Sequence, residues 1–219
     1  MNPIIETPRL LLIRLTDTTE GSQHVQWFHE NWSDGEVTGW SLAESREWML
    51  EHRCKYDNWF YACFVKTPDS KVTELDPGEH AGSVSLRLQA SGPALPPPPS
   101  FDPDSGREGL HPSTASPANI PIDLRAIGYA FFAQHRGKGY ATEAGKAMLA
   151  EYARSVAEEK AKGERLFYVE AGVDKDNPES QHVLKKLGFK EVGWKEEKEP
   201  VFLNGQWRDP GYWVYGQYV

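Results

Sequence analysis

Two cations and two glycines alternate in the run Arg136-Gly137-Lys138-Gly139. A strand-like segment, Ile127-Gly128-Tyr129-Ala130-Phe131-Phe132, comes before it. A helical pattern follows, with Ala144, Met148, Leu149, Tyr152 and Val156 on one stripe. Strand, glycine-rich loop and helix start together make an anion cradle. The glycines let the backbone approach a guest closely, and the first N–H groups of a helix have no internal partner. The helix dipole adds about half a positive charge at that end, and Arg136 and Lys138 add whole ones. The expected guest is a phosphate or pyrophosphate. A dinucleotide-binding turn uses similar glycines but wants an acid about 20 residues later at a strand end. Glu164 falls in that interval but sits in a polar AKGER turn.

The longer string separates these readings. Arg136-x-x-Gly139-x-Ala141 fits the [QR]-x-x-G-x-[GA] pyrophosphate signature of the GNAT superfamily, the GCN5-related N-acetyltransferases. HRGKGYATEA resembles its RimJ/RimL-type branch, as does the opening ETPRLLLIRL. NPESQHVLKKLGF resembles the family's second signature, N-x-x-S followed by a helix ending in GF. The resemblance covers nearly the whole chain apart from a proline-rich stretch. It implies an α/β GNAT fold of about seven strands in a mixed sheet, flanked by about four helices. Strands 4 and 5 of that fold splay apart to hold acetyl-CoA as co-substrate. Cofactor contacts would come from Phe132, Ala133, Arg136, Gly137, Lys138, Gly139, Tyr140, Ala141 and Asn177, with a backbone N–H near Phe132 or Ala133 meeting the thioester oxygen.

The implied reaction is acetyl transfer to a primary amine, on a protein N-terminus or a small molecule, by direct attack in a ternary complex. An alkyl ammonium with a pKa of about 10 must first lose its proton. Many family members place a Glu just before the cofactor loop, on its strand; here that position is Ala126, a departure from the pattern. The substitutes are Glu170, Asp123 and Glu191. Glu170 comes first, because its strand should border the splayed gap and Leu166 and Tyr168 should desolvate it. Ser180 and Tyr215 (or Tyr212) are the candidates for protonating the leaving thiolate. Asn177 also suits a helix cap, and Ser180 a cap helper. Neither cysteine has the basic setting of an acyl-enzyme nucleophile, and no residue cluster has metal-ligand spacing. A different class of reading remains, an idle acyl-CoA-binding sensor or scaffold, motivated by Ala126 and the proline-rich stretch. A dinucleotide oxidoreductase is more distant.

Composition bounds the rest. The 219 residues carry 24 basic and 32 acidic side chains, 24 − 32 = −8, with no long basic patch, which argues against a nucleic-acid partner. Cys54 and Cys63 make no disulfide framework and read as small core residues. No run approaches a membrane span, so a cytoplasmic protein is expected. Oligomeric state stays open.

The positioning elements read as follows. Residues 9–14 form a first strand, and residues 18–40 a short helix with loops bearing Trp27, Trp32 and Trp40, one wall of the acceptor pocket by resemblance, though each tryptophan by itself reads first as sealing a core edge. Ser41 and Glu44 form a capping box. Strands follow at 61–65 and 82–88, the latter alternating Val84, Leu86 and Leu88 with Ser83, Ser85 and Arg87. Residues 90–121 hold four consecutive prolines and no apolar period, an insertion between strands 3 and 4, either inert or a flap. After the cofactor helix come a strand at 166–173 and a helix capped by Asn177 with Pro178 at its first position. Closing strands lie at 192–194, 201–203 and 212–215, with a turn at Asn204-Gly205. The tryptophan-bearing segments 27–40 and 207–213 should build the acceptor pocket. One domain, 1–219, is expected.

Overall fold

In a computed structural model, residues 1–32, 40–66, 76–98, 120–203 and 206–219 are described, with the side chains of 202, 203 and 206 set aside. Most of the proline-rich insertion and the Asn204-Gly205 turn lie outside them. Eight strands form one mixed sheet in the order β1-β2-β3-β4-β5-β6-β10-β7. These are β1 (Ile4–Glu6), β2 (Leu10–Arg14), β3 (Trp59–Val65), β4 (Glu79–Leu88), β5 (Ile122–Phe131), β6 (Leu166–Val173), β7 (Lys190–Lys195) and β10 (Tyr212–Tyr218). β8 (Val201–Leu203) and β9 (Gln206–Arg208) form a separate hairpin. An unanticipated short strand, β9, therefore follows β8 in the chain before β10. The edge strand β1 was also unanticipated, because three residues before Pro8 carry too little alternation to register. With these additions the fourth and fifth strands of the expected fold are β5 and β6.

β5 runs antiparallel to β4 and parallel to β6. The crossover between β5 and β6 contains α3 (Tyr140–Lys162), long enough to return the chain to the sheet's other end. α3 and α4 (Pro178–Lys186) cover one face. Their Ala144, Met148, Tyr152 and Leu184 pack with Leu10, Leu12, Tyr61, Val84, Phe167, Val169 and Ala171. α1 (Gln23–Trp32) and α2 (Leu42–Lys55) cover part of the other face. Val25, Trp27, Phe28 and Met49 pack there with Leu11, Ile13, Phe60 and Phe64. β2 is apolar at every position from Leu10 to Ile13 because it faces a core on both sides. Burying side chains of this size stabilises by about 1.5–3 kcal/mol each.

Local signals behave as the sequence predicts at the helix ends. Ser41 accepts from the Glu44 N–H while the Glu44 carboxylate reaches back, the reciprocal capping box. Asn177 Oδ1 accepts from the Ser180 N–H at 3.0 Å, with Pro178 at the first helical position. Cys63 is buried, but Cys54 is exposed on α2 and is no core residue. At the start of the insertion, residues 90–98 lie over the β6–β10–β7 part of the sheet. Tyr218 donates to the Pro98 carbonyl at 2.8 Å, and Leu95 sits against Gly193. No helix among the described residues is long and apolar enough to cross a membrane.

Candidate active site

The parallel pairing of β5 with β6 runs from Ile122↔Leu166 to Ala126↔Glu170 and stops. Beyond it, Ile127–Phe131 pair with β4 only, and Ala171–Val173 pair with β10 only. The two strands therefore diverge, leaving backbone groups on their inner edges without a strand partner. No bulge is needed to part them; the register is continuous up to the break. A cavity of about 340 Å³ fills the gap. Gly128, Tyr129, Phe131 and Phe132 form one side, and Ala171 to Asp174, Asn177, Ser180 and Leu184 the other.

Just past the end of β5, residues Ala133–His135 make a 3-10 turn and the glycine-rich loop follows. Gly137 and Gly139 have φ of +74° and +82°, left-handed values that a side chain would strain. This places Gly139 as the N-cap of α3. Among the described residues, the N–H groups of Gly139, Tyr140, Ala141 and Thr142 donate to no protein acceptor; the first bond of the helix is from Glu143 to the Gly139 carbonyl. A brace holds the loop from outside. Arg9 Nη1 donates to the Lys138 carbonyl at 2.9 Å, its Nε lies 2.6 Å from Glu143 Oε2, and its guanidinium covers the Tyr140 ring at 4.8 Å. Thr7 Oγ1 and the Arg9 N–H also donate to Glu143 Oε1, at 2.6 and 2.9 Å.

The anticipated site residues divide into two groups. Phe132, Arg136, Asn177 and Ser180 line the cavity. Arg136 Nε donates to the Phe131 carbonyl at 3.0 Å, which turns this cation toward the end of β5. Gly137, Lys138, Gly139, Tyr140 and Ala141 belong to the loop and helix start beyond it. The Phe132 N–H is already bonded to the Ala81 carbonyl, so it is not available to a thioester oxygen; Ala133 is exposed. Tyr215 lies in the core on the α3–α4 side, with its hydroxyl on Glu191 at 3.0 Å. Asp123 accepts from Tyr152 at 2.8 Å. Asp123, Glu191 and Glu170 are all outside the set of residues that line the cavity, but Glu170 lies between the lining residues Ala126 and Ala171.

Glu170 sits at the fork itself, 5% exposed. Its Oε2 accepts from the Ala94 N–H at 3.1 Å. Burial pushes its carboxyl above the usual glutamate range, against the opposing pull of that N–H and of Arg87. Ser180 takes a hydrogen bond on its carbonyl from the Tyr129 hydroxyl at 3.2 Å, and burial raises that phenol to about 12. His135 is buried. Its Nε2 lies 3.2 Å from Glu79 Oε1, close enough for an ionic contact but not aligned as a hydrogen bond.

The cavity continues from the fork to the face under α1 and α2. There Trp32, Trp48, His52, Asn58, Phe60 and Arg87 close it. Trp48 and His52 stack with ring centres 3.4 Å apart. Burial and the nearby Arg87 lower His52 to about 4, so it is uncharged at neutral pH. Ser83 donates to Asn31 Oδ1 in the same wall. Trp27 is buried against Phe64, and Trp40 packs on Trp48; neither lines the cavity, and neither does any residue of 207–213. Sequence reasoning missed Arg87, His52 and Asn58. A signal existed in the alternation of β4, whose polar positions Ser83, Ser85 and Arg87 form the cavity wall.

The acetyltransferase (GNAT) domain family matches residues 9–190. No curated protein is a significant match by sequence. Among solved structures, the chain resembles RimL, a ribosomal L7/L12 alpha-N-protein acetyltransferase seen with coenzyme A, at 19% identity and a TM-score of 0.58, over 99% of this chain and 98% of that one. A GNAT-family acetyltransferase from Bordetella pertussis matches at 17% identity and a TM-score of 0.59, over 99% of each chain. The microcin C7 self-immunity acetyltransferase MccE, seen with acetyl-CoA and AMP, matches at 16% and 0.54, over 97% of this chain and 94% of that one. A forked sheet, a glycine-rich helix start with open amides and a family match over most of the sequence converge: the chain belongs to the acetyltransferase (GNAT) domain family.

Proposed function

We propose that residues 1–219 act as one catalytic domain that moves an acetyl group from acetyl-CoA to a primary amine. The observation that carries this reading is the set of unpaired N–H groups from Gly139 to Thr142 beside the β5–β6 fork. Those amides, with Arg136 and Lys138 near them, suit a diphosphate. The free inner edge of β5 suits the amide-bearing pantetheine arm, and the Asn177 side-chain N–H₂ can add a bond while its Oδ1 still caps α4. Acetyl-CoA supplies an activated carbonyl carbon and a thiolate leaving group. The acceptor amine loses its proton toward Glu170, directly or through water, and Ser180, which lines the cavity, protonates the departing sulfur. RimL acts on a protein N-terminus, and that supports an amine acceptor here in general terms.

The test is acetyl-CoA binding to Gly139→Glu, measured by calorimetry. The new carboxylate would stand where the diphosphate is held, and at least a 100-fold loss of affinity is expected. Gly139→Ala carries the same backbone strain, about 1–2 kcal/mol, without the charge, and should keep most of the affinity. Wild-type affinity in Gly139→Glu would refute the cradle.

A further inference from the structure

The cavity's acceptor end holds a cation with no anion of its own among the described residues. Arg87 lines the wall on β4 and makes no ion pair with any described carboxylate. Its side-chain bond is to the neutral Gln89 Oε1, at 3.2 Å. Its cross-strand neighbour on β5 is Ala126, a methyl group that cannot neutralise it. A half-buried guanidinium in a chain of net charge −8 has carboxylates to spare elsewhere, yet this one is kept facing a cavity. Two further polar atoms in the same wall, His52 Nδ1 and Asn58 Oδ1, are buried without a hydrogen-bond partner among the described residues.

The surroundings of Arg87 narrow the guest. Trp48 and Phe60 give the cavity an apolar side, and His52 adds no competing positive charge. Across Ala126 on the same row stands Glu170, so a positive and a negative side chain flank one small residue. A molecule with a carboxylate and an ammonium a few bonds apart matches that pair. A cavity of about 340 Å³ that must also admit the pantetheine end leaves room for something small.

We propose that the acceptor is a small amino-carboxylate with an apolar or aromatic body, its carboxylate seated on Arg87 and its amine directed to the fork. This rests on the N-acetyltransferase reading and adds the substrate class. The amine nitrogen forms a C–N bond to the thioester carbonyl carbon as the C–S bond breaks. The ammonium loses one proton to Glu170 before attack and the nitrogen a second on forming the amide. The thiolate gains one, so the products are the N-acetylated acid and free coenzyme A thiol.

The experiment uses the full chain with acetyl-CoA and the protein amino acids, each paired with its carboxamide, and a peptide beginning Ser-Glu. Acetylated products are counted by mass spectrometry. Wild type should prefer at least one apolar or aromatic acid over its amide by about 10- to 100-fold in kcat/KM, the usual worth of a charge-assisted bond. Arg87→Gln should lose that preference by lowering turnover of the acid about 10-fold more than that of the amide, compared on the pH plateau because Glu170 also loses the pull of Arg87. Arg87→Lys should restore part of it. Calorimetry with acetyl-CoA and a thermal melt establish that both variants are folded and cofactor-competent. Equal use of acid and amide by wild type, an unchanged preference in Arg87→Gln, or better turnover of the peptide than of any free acid overturns the proposal. So does acetyl-CoA binding with no turnover of any amino acid. Failure of wild type to bind acetyl-CoA at all would instead sink the acetyltransferase site itself.

Discussion

Arg87 and Glu170 stand on one row of the sheet with only Ala126 between them, as the pairings Arg87↔Ala126 and Ala126↔Glu170 require. Two strand spacings separate their backbones, about 10 Å. They are too far apart to pair directly, and the pairing between β5 and β6 ends at this row. The last closed rung of the sheet thus carries opposite charges on either side of the opening.

Glu170→Gln tests the role given to the acidic member. As a proton acceptor, Glu170 should be worth about 100-fold or more in kcat, with acetyl-CoA affinity unchanged. Its folded carboxyl is raised by burial, so the charged form is disfavoured in the fold. The sign follows: stability linked to Glu170 is full below the ordinary glutamate range near 4.3 and is lost as pH rises through the raised folded value. The Gln variant should therefore melt higher than wild type at pH 7, and the difference should close below about pH 4. A variant with wild-type kcat would move the base elsewhere, whatever its melting temperature.

Arg9 and Glu143 brace the cradle without lining the cavity. Burial alone would raise the Glu143 carboxyl, but bonds from Thr7, the Arg9 N–H and the Arg9 guanidinium hold it below the usual range. A depressed acid contributes stability above its unfolded pKa and loses it as pH falls through the folded value. Arg9→Ala should weaken acetyl-CoA binding by about 10-fold, because the Lys138 carbonyl and the start of α3 lose their tether. Arg9 is half exposed, so the melting temperature should move little. Glu143→Gln should do the same, and the double variant should be less than additive, as expected of one network. Additive losses would mean that the two act separately.

The cradle and the cap of α4 were readable in the sequence because their signals are local, whereas the fork followed only from the family resemblance. Gly137 and Gly139 take left-handed φ where the sequence alternates them with cations, and Asn177-Pro178 begins α4 as its cap chemistry demands. The acceptor end was not readable in the same way. Its walls come from α1, α2, β3, β4 and β5, and no local pattern says that His52 will stack on Trp48 beside a β4 arginine. Of the tryptophan-bearing segments expected at the pocket, Trp32 lines the cavity, whereas Trp27 and Trp207 do not. Trp27 seals a core against Phe64, and Trp207 is 72% exposed on the β8–β9 hairpin. Tyr215 illustrates strand parity: its face of β10 is set by pairing with Ala171 on β6, which turns the phenol toward α3 and α4.

The strap formed by residues 90–98 gives the sharpest pH test. The Ala94 N–H bonds the charged form of Glu170, which opposes the rise caused by burial. Ala94→Pro removes that donor in a stretch already rich in proline, where an extended backbone is tolerated. With the donor gone, the carboxyl should rise further, because only the charged form gained from the bond. If deprotonated Glu170 accepts the amine's proton, the acid limb of kcat/KM must then move to higher pH. Ala94→Gly keeps the N–H and should leave the limb in place. Profiles taken from pH 5 to 9 decide it: a limb that stays put or moves down in Ala94→Pro would show that Glu170 does not set the rate, and that the strap only packs.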